Sequence, residues 1–279
     1  MRVPDSIREC VAFICYRDKR DNLRYAGTGF FVGVPLPTRP DKIAVYFISA
    51  KHTIAGLVAS GYETFYIRLN QKKGKAVLAE TSASDWEFHE VPSADVAVLA
   101  FNPPPEFEHK PFVLEGGVAT ADVLKTHKIG IGDEIFATGL FISHAGRQRN
   151  IPLIRVGTMA AMPEEPINTK MGWMEGYLIE MRSIGGLSGS PVFVYLDPFR
   201  HPDEGVFWLL GLIHGHWNIK KEGEPSTALE EDLEQEKVNM GIAIVPPVDR
   251  ILEVLNMPEL AERRAELERE LGEQNLPSQ

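Results

Sequence analysis

The sequence predicts an all-β protein closed by a C-terminal α-helix. Three observations carry this. Short runs rich in Val, Ile, Phe and Tyr recur from Cys10 to Val245, each bounded by Gly, Pro or charged clusters. Asn102-Pro103-Pro104-Pro105 can continue neither a sheet nor a helix, and it divides the chain into two strand-rich halves. After Pro246-Pro247, the apolar residues Val248, Ile251, Leu252 and Leu255 recur at helical spacing.

In the first half, residues 10–16 and 26–34 read as strands joined by the charged turn Arg17 to Arg24. Pro35 to Pro40 reads as a loop, and 43–49 as a buried β-branched and aromatic strand. Tyr62 to Asn70 alternates and ends before a Lys/Gly hairpin at 71–75, with a strand at 76–80 after it. Residues 81–93 are polar and loop-like, and a short apolar strand follows Asp95. The proline run and the next twenty residues form a link. In the second half, strands are expected at 133–139, 153–159, 177–182, 191–196, 206–213 and 240–245, with a polar, basic loop from Ser143 to Asn150. The stretch Lys220 to Lys237 carries Glu-Glu-Asp-Leu-Glu-Gln-Glu and reads as an acidic, mobile loop, because few apolar residues are there to anchor it. The C-terminal helix begins near Val248, breaks near Pro258 and resumes from Glu259 to Gly272, where few apolar positions suggest projection into solvent or toward a partner.

A hydrophobic fraction of 44% is enough for sizeable cores in a chain of 279 residues. The formal net charge of −10 disfavours nucleic acid or an anionic membrane as a partner. No stretch is apolar and long enough to span a bilayer. The N-terminus lacks a basic region followed by an apolar one, so no signal peptide is read there. The two cysteines, Cys10 and Cys15, lie five apart on one expected strand. That spacing puts them on opposite faces, unable to bridge. A cytoplasmic, reducing location is the expectation.

The chemistry concentrates in three places. Gly186-Leu187-Ser188-Gly189-Ser190-Pro191 holds a serine between glycines, ahead of the apolar run Val192-Phe193-Val194-Tyr195. The glycines permit a tight turn and close approach of a substrate to the backbone. A serine nucleophile needs a base, and the base needs an orienting acid. Ile48-Ser49-Ala50-Lys51-His52 delivers a histidine at the mouth of a buried strand, and Asp95 stands just ahead of another. Each residue alone reads as an ordinary turn, cap or core residue. Their order and their joint occurrence give them weight. Lys51, beside the histidine, is expected to face solvent.

These segments resemble the blocks of the chymotrypsin-like (trypsin-fold) serine peptidases. Gly27-Thr28-Gly29-Phe30-Phe31-Val32-Gly33 is similar to that family's early glycine-bracketed strand, Ile48 to His52 to its histidine block, and Gly186 to Pro191 to its serine block. The resemblance spans about residues 7 to 246. It implies two packed six-stranded antiparallel β-barrels. An N-terminal barrel and link would occupy 1–125, a C-terminal barrel 126–246, and the helix and tail 247–279.

The resemblance also implies a catalytic triad of Ser188, His52 and Asp95, with the N–H groups of Gly186 and Ser188 as oxyanion hole. The activity implied is intracellular serine endopeptidase, needing no metal and no cofactor. The partners implied are a polypeptide substrate and, where a partner orders the oxyanion hole, an activating protein. A silent binding scaffold and an esterase are the alternatives. Zymogen-activated members place an aspartate before the serine; Leu187 stands there instead, so no zymogen step is expected. The same resemblance puts the base of the specificity pocket at Arg182 and its wall at His214, Gly215 and His216, a polar or cationic lining suited to an acidic or amide side chain. Ile213 interrupts the pattern on that wall. A zinc site at His214 and His216 is not expected, because the segment offers no third ligand.

Overall fold

A computed structural model of the chain describes residues 3–182, 185–196, 207–219, 225–228 and 238–273. The first half contains α1 (Asp5–Glu9), β1 (Val11–Arg17), β2 (Leu23–Leu36), β3 (Arg39–Ser49), α2 (Lys51–Ala59), β4 (Thr64–Leu69), β5 (Val77–Ser82), β6 (Trp86–Phe88), β7 (Ala97–Ala100) and β8 (Phe112–Val113). The second half contains α3 (Ala121–Thr126), β9 (Glu134–Gly139), β10 (Leu153–Ala161), β11 (Ile167–Thr169), β12 (Gly172–Met174), β13 (Tyr177–Glu180), β14 (Pro191–Tyr195), β15 (Phe207–Leu212), β16 (Gly215–Ile219), β17 (Pro225–Ala228) and β18 (Val238–Val245). Two helices follow, α4 (Val248–Leu255) and α5 (Pro258–Glu273).

Each half builds its own sheet. The first runs β5-β4-β1-β2-β3-β7-β6, with β8 added in parallel to β2. The second runs β15-β14-β9-β10-β13-β18-β16-β17. The pairings along both paths are antiparallel. The result is the double β-barrel expected from the sequence, with eight described strands in each sheet where six were expected.

The strands are apolar on both faces, and the structure gives the reason. Along β1, Ala12 and Ile14 point into the first barrel with Phe31, Phe47 and Phe65. Val11, Phe13 and Cys15 point the other way, into a layer shared with Phe136 and Phe193 of the second sheet and with Val248, Ile251 and Leu255 of α4. Along β14 the same period of two sends Val192 and Val194 into the second barrel and Phe193 into the shared layer. Phe136 and Phe193 stack there at 5.2 Å between centroids. Three apolar layers therefore hold the two barrels and the C-terminal helix together.

Several expectations need correction. Pro35 to Pro40 is not a loop: β2 and β3 continue through it to a two-residue turn at Pro37-Thr38, with a register shift at Pro35 that accommodates the missing N–H. Residues 81–93 include β6, and the link includes β8 and α3. Cys10 and Cys15 lie in the same apolar layer. Cys10 caps α1 outside the strand, so strand alternation does not govern it. Both thiols are free, and burial pushes each up to about 12. The Lys220 to Lys237 stretch contains β17, paired to β16; its other residues lie outside those described.

Helix α5 does not project into solvent. Leu260 is fully buried, and Leu267 and Leu271 pack on the shared layer. Arg264 donates to Tyr46 Oη at 3.1 Å, and Glu268 accepts from the Thr38 hydroxyl at 2.6 Å. The few leucines of this charged helix all serve one face. Among the described residues, no helix is long and apolar enough to cross a membrane.

Candidate active site

Strand β3 ends at Ser49, and the chain turns at once into α2, whose first turn carries His52. The sequence reading stopped at the histidine and missed this helix, although Thr53, Ile54 and Leu57 bury one face at helical spacing. Ala50 at the N-cap offers no side-chain acceptor. Asp95 takes that role from another element: its Oδ1 accepts the backbone N–H of His52 at 2.8 Å. A carboxylate at a helix N-terminus satisfies an orphan donor and meets the positive end of the helix dipole. The acid thus positions the base through the main chain as well as the side chain.

Asp95 Oδ2 lies 2.6 Å from His52 Nδ1, and His52 Nε2 lies 2.9 Å from Ser188 Oγ. A carboxylate only accepts, so Nδ1 carries the proton and Nε2 is left to accept from the serine hydroxyl. Ser188 Oγ also lies 3.2 Å from the carbonyl of His214. Asp95 is fully buried. Burial alone would push its carboxyl up, but the His52 and His214 imidazoles, with the hydrogen bonds they donate, hold it well below the usual carboxylate range.

The serine loop is fixed from both barrels. Leu187 is buried in the second barrel's core, so apolar packing occupies the place where a charged residue was looked for. Gly186 and Gly189 have φ of +99° and +79°. A Cβ on Gly189 would stand 2.2 Å from the Thr28 carbonyl. Thr28 itself makes three bonds across the barrel boundary. Its N–H donates to Ser188 O at 2.9 Å, its hydroxyl donates to Gly186 O at 2.6 Å, and the same hydroxyl accepts from Leu140 N–H at 2.9 Å. In the sequence Thr28 is simply part of a glycine-bracketed strand. Its one visible signal is a hydroxyl between two glycines in an otherwise apolar run.

The remaining predicted residues lie on the second barrel, where Gly215 and His216 of β16 pair with β18 and Met181, the neighbour of Arg182, donates its N–H to Gly241 of the same strand. Arg182 is exposed at the end of the segment after β13. His216 is buried in β16 beside β18. His214, expected on the pocket wall with Gly215, instead turns its ring to Asp95, with Nδ1 at 2.5 Å from Oδ2. Lys51, expected in solvent, lies half-buried with its ammonium 3.4 Å from the His89 carbonyl and over the Phe88 ring. It supports the chain leading to Asp95.

His52, Asp95 and His214 form a cluster of metal-ligating residue types. Ligands sharing one tetrahedral zinc at about 2.0–2.1 Å stand more than about 3 Å apart. Here both nitrogens approach the carboxylate oxygen to 2.6 and 2.5 Å. That is hydrogen-bond geometry.

Beside His52 opens a cleft of about 410 Å³. Tyr16, Tyr25, Tyr62 and Leu57 line it, with Ile142 and Gly185 from the second barrel. The Tyr16 and Tyr62 rings meet at 4.5 Å between centroids. Among the described residues, no Asp, Glu, Lys or Arg side chain lines this cleft.

The chain is similar in structure to the MamO protease domain from Magnetospirillum magneticum in its apo form, at a TM-score of 0.51 and 14% identity over 89% of this chain and 96% of that one. The fold is that of the trypsin-like serine proteases. A serine-to-alanine mutant of Rv3671c from M. tuberculosis H37Rv, in its inactive form, also aligns, at a TM-score of 0.42 and 14% identity over 90% of this chain and 88% of that one. No protein family's sequence profile matches the chain, and no curated protein matches it.

Proposed function

We propose that this protein is a serine endopeptidase. Ser188 Oγ attacks the scissile carbonyl as His52 Nε2 takes its proton. The imidazolium then returns that proton to the leaving amine, and water releases the acyl-enzyme by the same route. Asp95 holds the imidazole in the required tautomer and offsets its positive charge. The N–H groups of Gly186 and Ser188 stabilise the oxyanion. Loss of one such donor costs about 10²–10³ in rate. One observation carries the reading: a continuous line of hydrogen bonds from Asp95 through His52 to Ser188, at 2.6 and 2.9 Å.

A second reading, a binding scaffold on the same fold, draws on a specific observation. Ser188 is only 1% exposed, and its hydroxyl has a second acceptor in the His214 carbonyl. In a peptidase, substrate or an activating partner would uncover the serine and turn its proton to His52. An esterase would use the same groups on another acyl donor. Fluorophosphonate labelling tests the nucleophile directly. The peptidase and esterase readings require wild type to label and Ser188→Ala to stay unlabelled. Folded wild type that never labels would favour the scaffold, and labelled protein that cleaves esters but no peptide library would favour the esterase.

A further inference from the structure

We propose that His214 is a positioning residue of the triad: it holds Asp95 against His52, so that one carboxylate oxygen serves two imidazoles. The proposal rests on the reading of Ser188, His52 and Asp95 as a catalytic triad.

The geometry is specific. His214 Nδ1 lies 2.5 Å and His52 Nδ1 2.6 Å from the same atom, Asp95 Oδ2. The two rings meet nearly edge to face, at 82° with centroids 5.3 Å apart. An ionised carboxylate has only acceptors, so both nitrogens bear protons. With the His52 main-chain N–H on Oδ1, three N–H donors converge on one buried side chain. This arrangement leaves Asp95 no rotation about its χ2 that keeps all three bonds. The His214 side chain is 3% exposed, and its backbone is pinned by its own N–H, which donates to the Ile244 carbonyl of β18 at 2.9 Å. Its carbonyl reaches Ser188 Oγ. The residue therefore touches the acid with its side chain and the nucleophile with its main chain, and it ties both to the second barrel.

Two consequences follow. Fixing the carboxylate fixes the ring that must accept the serine proton. The second donor also draws charge from Oδ2, which weakens the hold of Asp95 on the imidazolium formed at His52. His214 thus trades some basicity of His52 for its orientation. A purely structural histidine would do neither.

Asp95 and His214 are the charged or imidazole groups seen in contact with His52, the tyrosines Tyr16, Tyr25 and Tyr62 share its cleft, and Lys51, its neighbour, is directed to the His89 carbonyl. In His214→Leu, kcat falls about 10- to 100-fold, the loss expected for one hydrogen bond to a charged group, while KM changes little. The acid limb of kcat/KM against pH moves to higher pH, because His52 becomes more basic. His214→Asn places an amide N–H within reach of Oδ2 and restores kcat to within about threefold of wild type. Proton NMR of the folded protein supplies a readout that needs no turnover. Wild type shows downfield imidazole N–H signals from His52 and His214 as well as from His89, which also donates to a carboxylate, and His214→Leu lacks the His214 signal while keeping the others. A labelled, active His214→Leu enzyme with an unmoved acid limb would overturn the proposal, as would a His214→Leu spectrum that keeps every downfield signal of wild type. Failure of wild type to label would sink the triad reading, and the NMR spectra would still decide whether His214 holds Asp95.

Discussion

His89 Nε2 lies 2.5 Å from Glu253 Oε2, so the C-terminal helix α4 grips the loop that presents Asp95. His89 Nδ1 accepts the Val91 N–H at 3.0 Å, which leaves Nε2 as the donor to the carboxylate. Glu253 is held in turn by Arg250, which also reaches Glu175 ahead of β13. Acid loop, helix and second barrel are joined in one chain of polar contacts. Glu253→Ala strands a donor on a histidine only 7% exposed. Because Glu253 itself is about half exposed, water replaces part of the loss, and the expected destabilisation is about 1 kcal/mol. Urea unfolding should register it, with Glu253→Gln close to wild type. Equal stability of the Ala and Gln variants would show that the contact does not brace the loop.

Asp95 carries a pH dependence whose sign is fixed by its surroundings. Its folded carboxyl lies below the usual 3.8, through the imidazoles that overcome the burial penalty. A lowered acid contributes stability that is complete above its unfolded value and is lost as pH falls through the folded one. Asp95→Asn should therefore melt well below wild type near pH 7, with the gap closing toward about pH 2. The amide cannot replace the acid, because three N–H donors meet the carboxylate and Asn brings donors of its own. Activity should fall about 10⁴-fold. A gap in Tm that stays constant from pH 7 to 2 would show that the charge of Asp95 contributes nothing.

Thr28 joins the serine loop to the first barrel through a hydroxyl that both donates to Gly186 O and accepts from Leu140 N–H. Thr28→Val keeps the shape and removes the hydroxyl, leaving a buried carbonyl and a buried N–H without this partner. The cost should be about 1–3 kcal/mol, read from chemical unfolding, with kcat lowered as the loop loosens. Thr28→Ser retains the hydroxyl and should recover most of both. A Val variant as stable and active as wild type would rule out this anchor.

The sequence disclosed the strands well and their partners less well. Runs such as Val45 to Ile48 are legible because a barrel strand with apolar layers on both faces has no polar positions to confuse it. Helix α2 was hidden for the same reason: Lys51 to Ala59 follows a buried strand without a capping side chain, its N-terminal acceptor coming from Asp95 forty-three residues on. Ser188, His52 and Asp95 stood out by residue type and order. His214 reads from the sequence as part of a pocket wall, whereas its ring is hydrogen-bonded to Asp95. Its role depends on which way a ring turns at the mouth of β16, and no local pattern encodes that. Glu253 and Thr28 likewise act through contacts made only when distant elements meet.

The neutral cleft beside His52 bears on what the proposed peptidase can accept. His52 returns its proton to the leaving group, so that group departs over the wall His52 belongs to. That wall is α2, with Tyr62 and Leu57 and the facing Tyr16 and Tyr25. In a chain of formal charge −10, a cleft with no charged side chain among its described lining residues offers a leaving-group residue apolar contact and little electrostatic selection. Burying a large apolar side chain in it even partly is worth about 1.4 kcal/mol, or about tenfold. Acyl transfer reads this side of the site alone. An acyl-enzyme formed from a nitrophenyl ester should pass its acyl group to phenylalanine or leucine amide about tenfold more readily than to glutamate or lysine amide, measured as the ratio of aminolysis to hydrolysis products. Tyr62→Ala opens the cleft and should shrink that preference to about threefold. Lysine amide captured as efficiently as phenylalanine amide would place the leaving group somewhere other than this cleft.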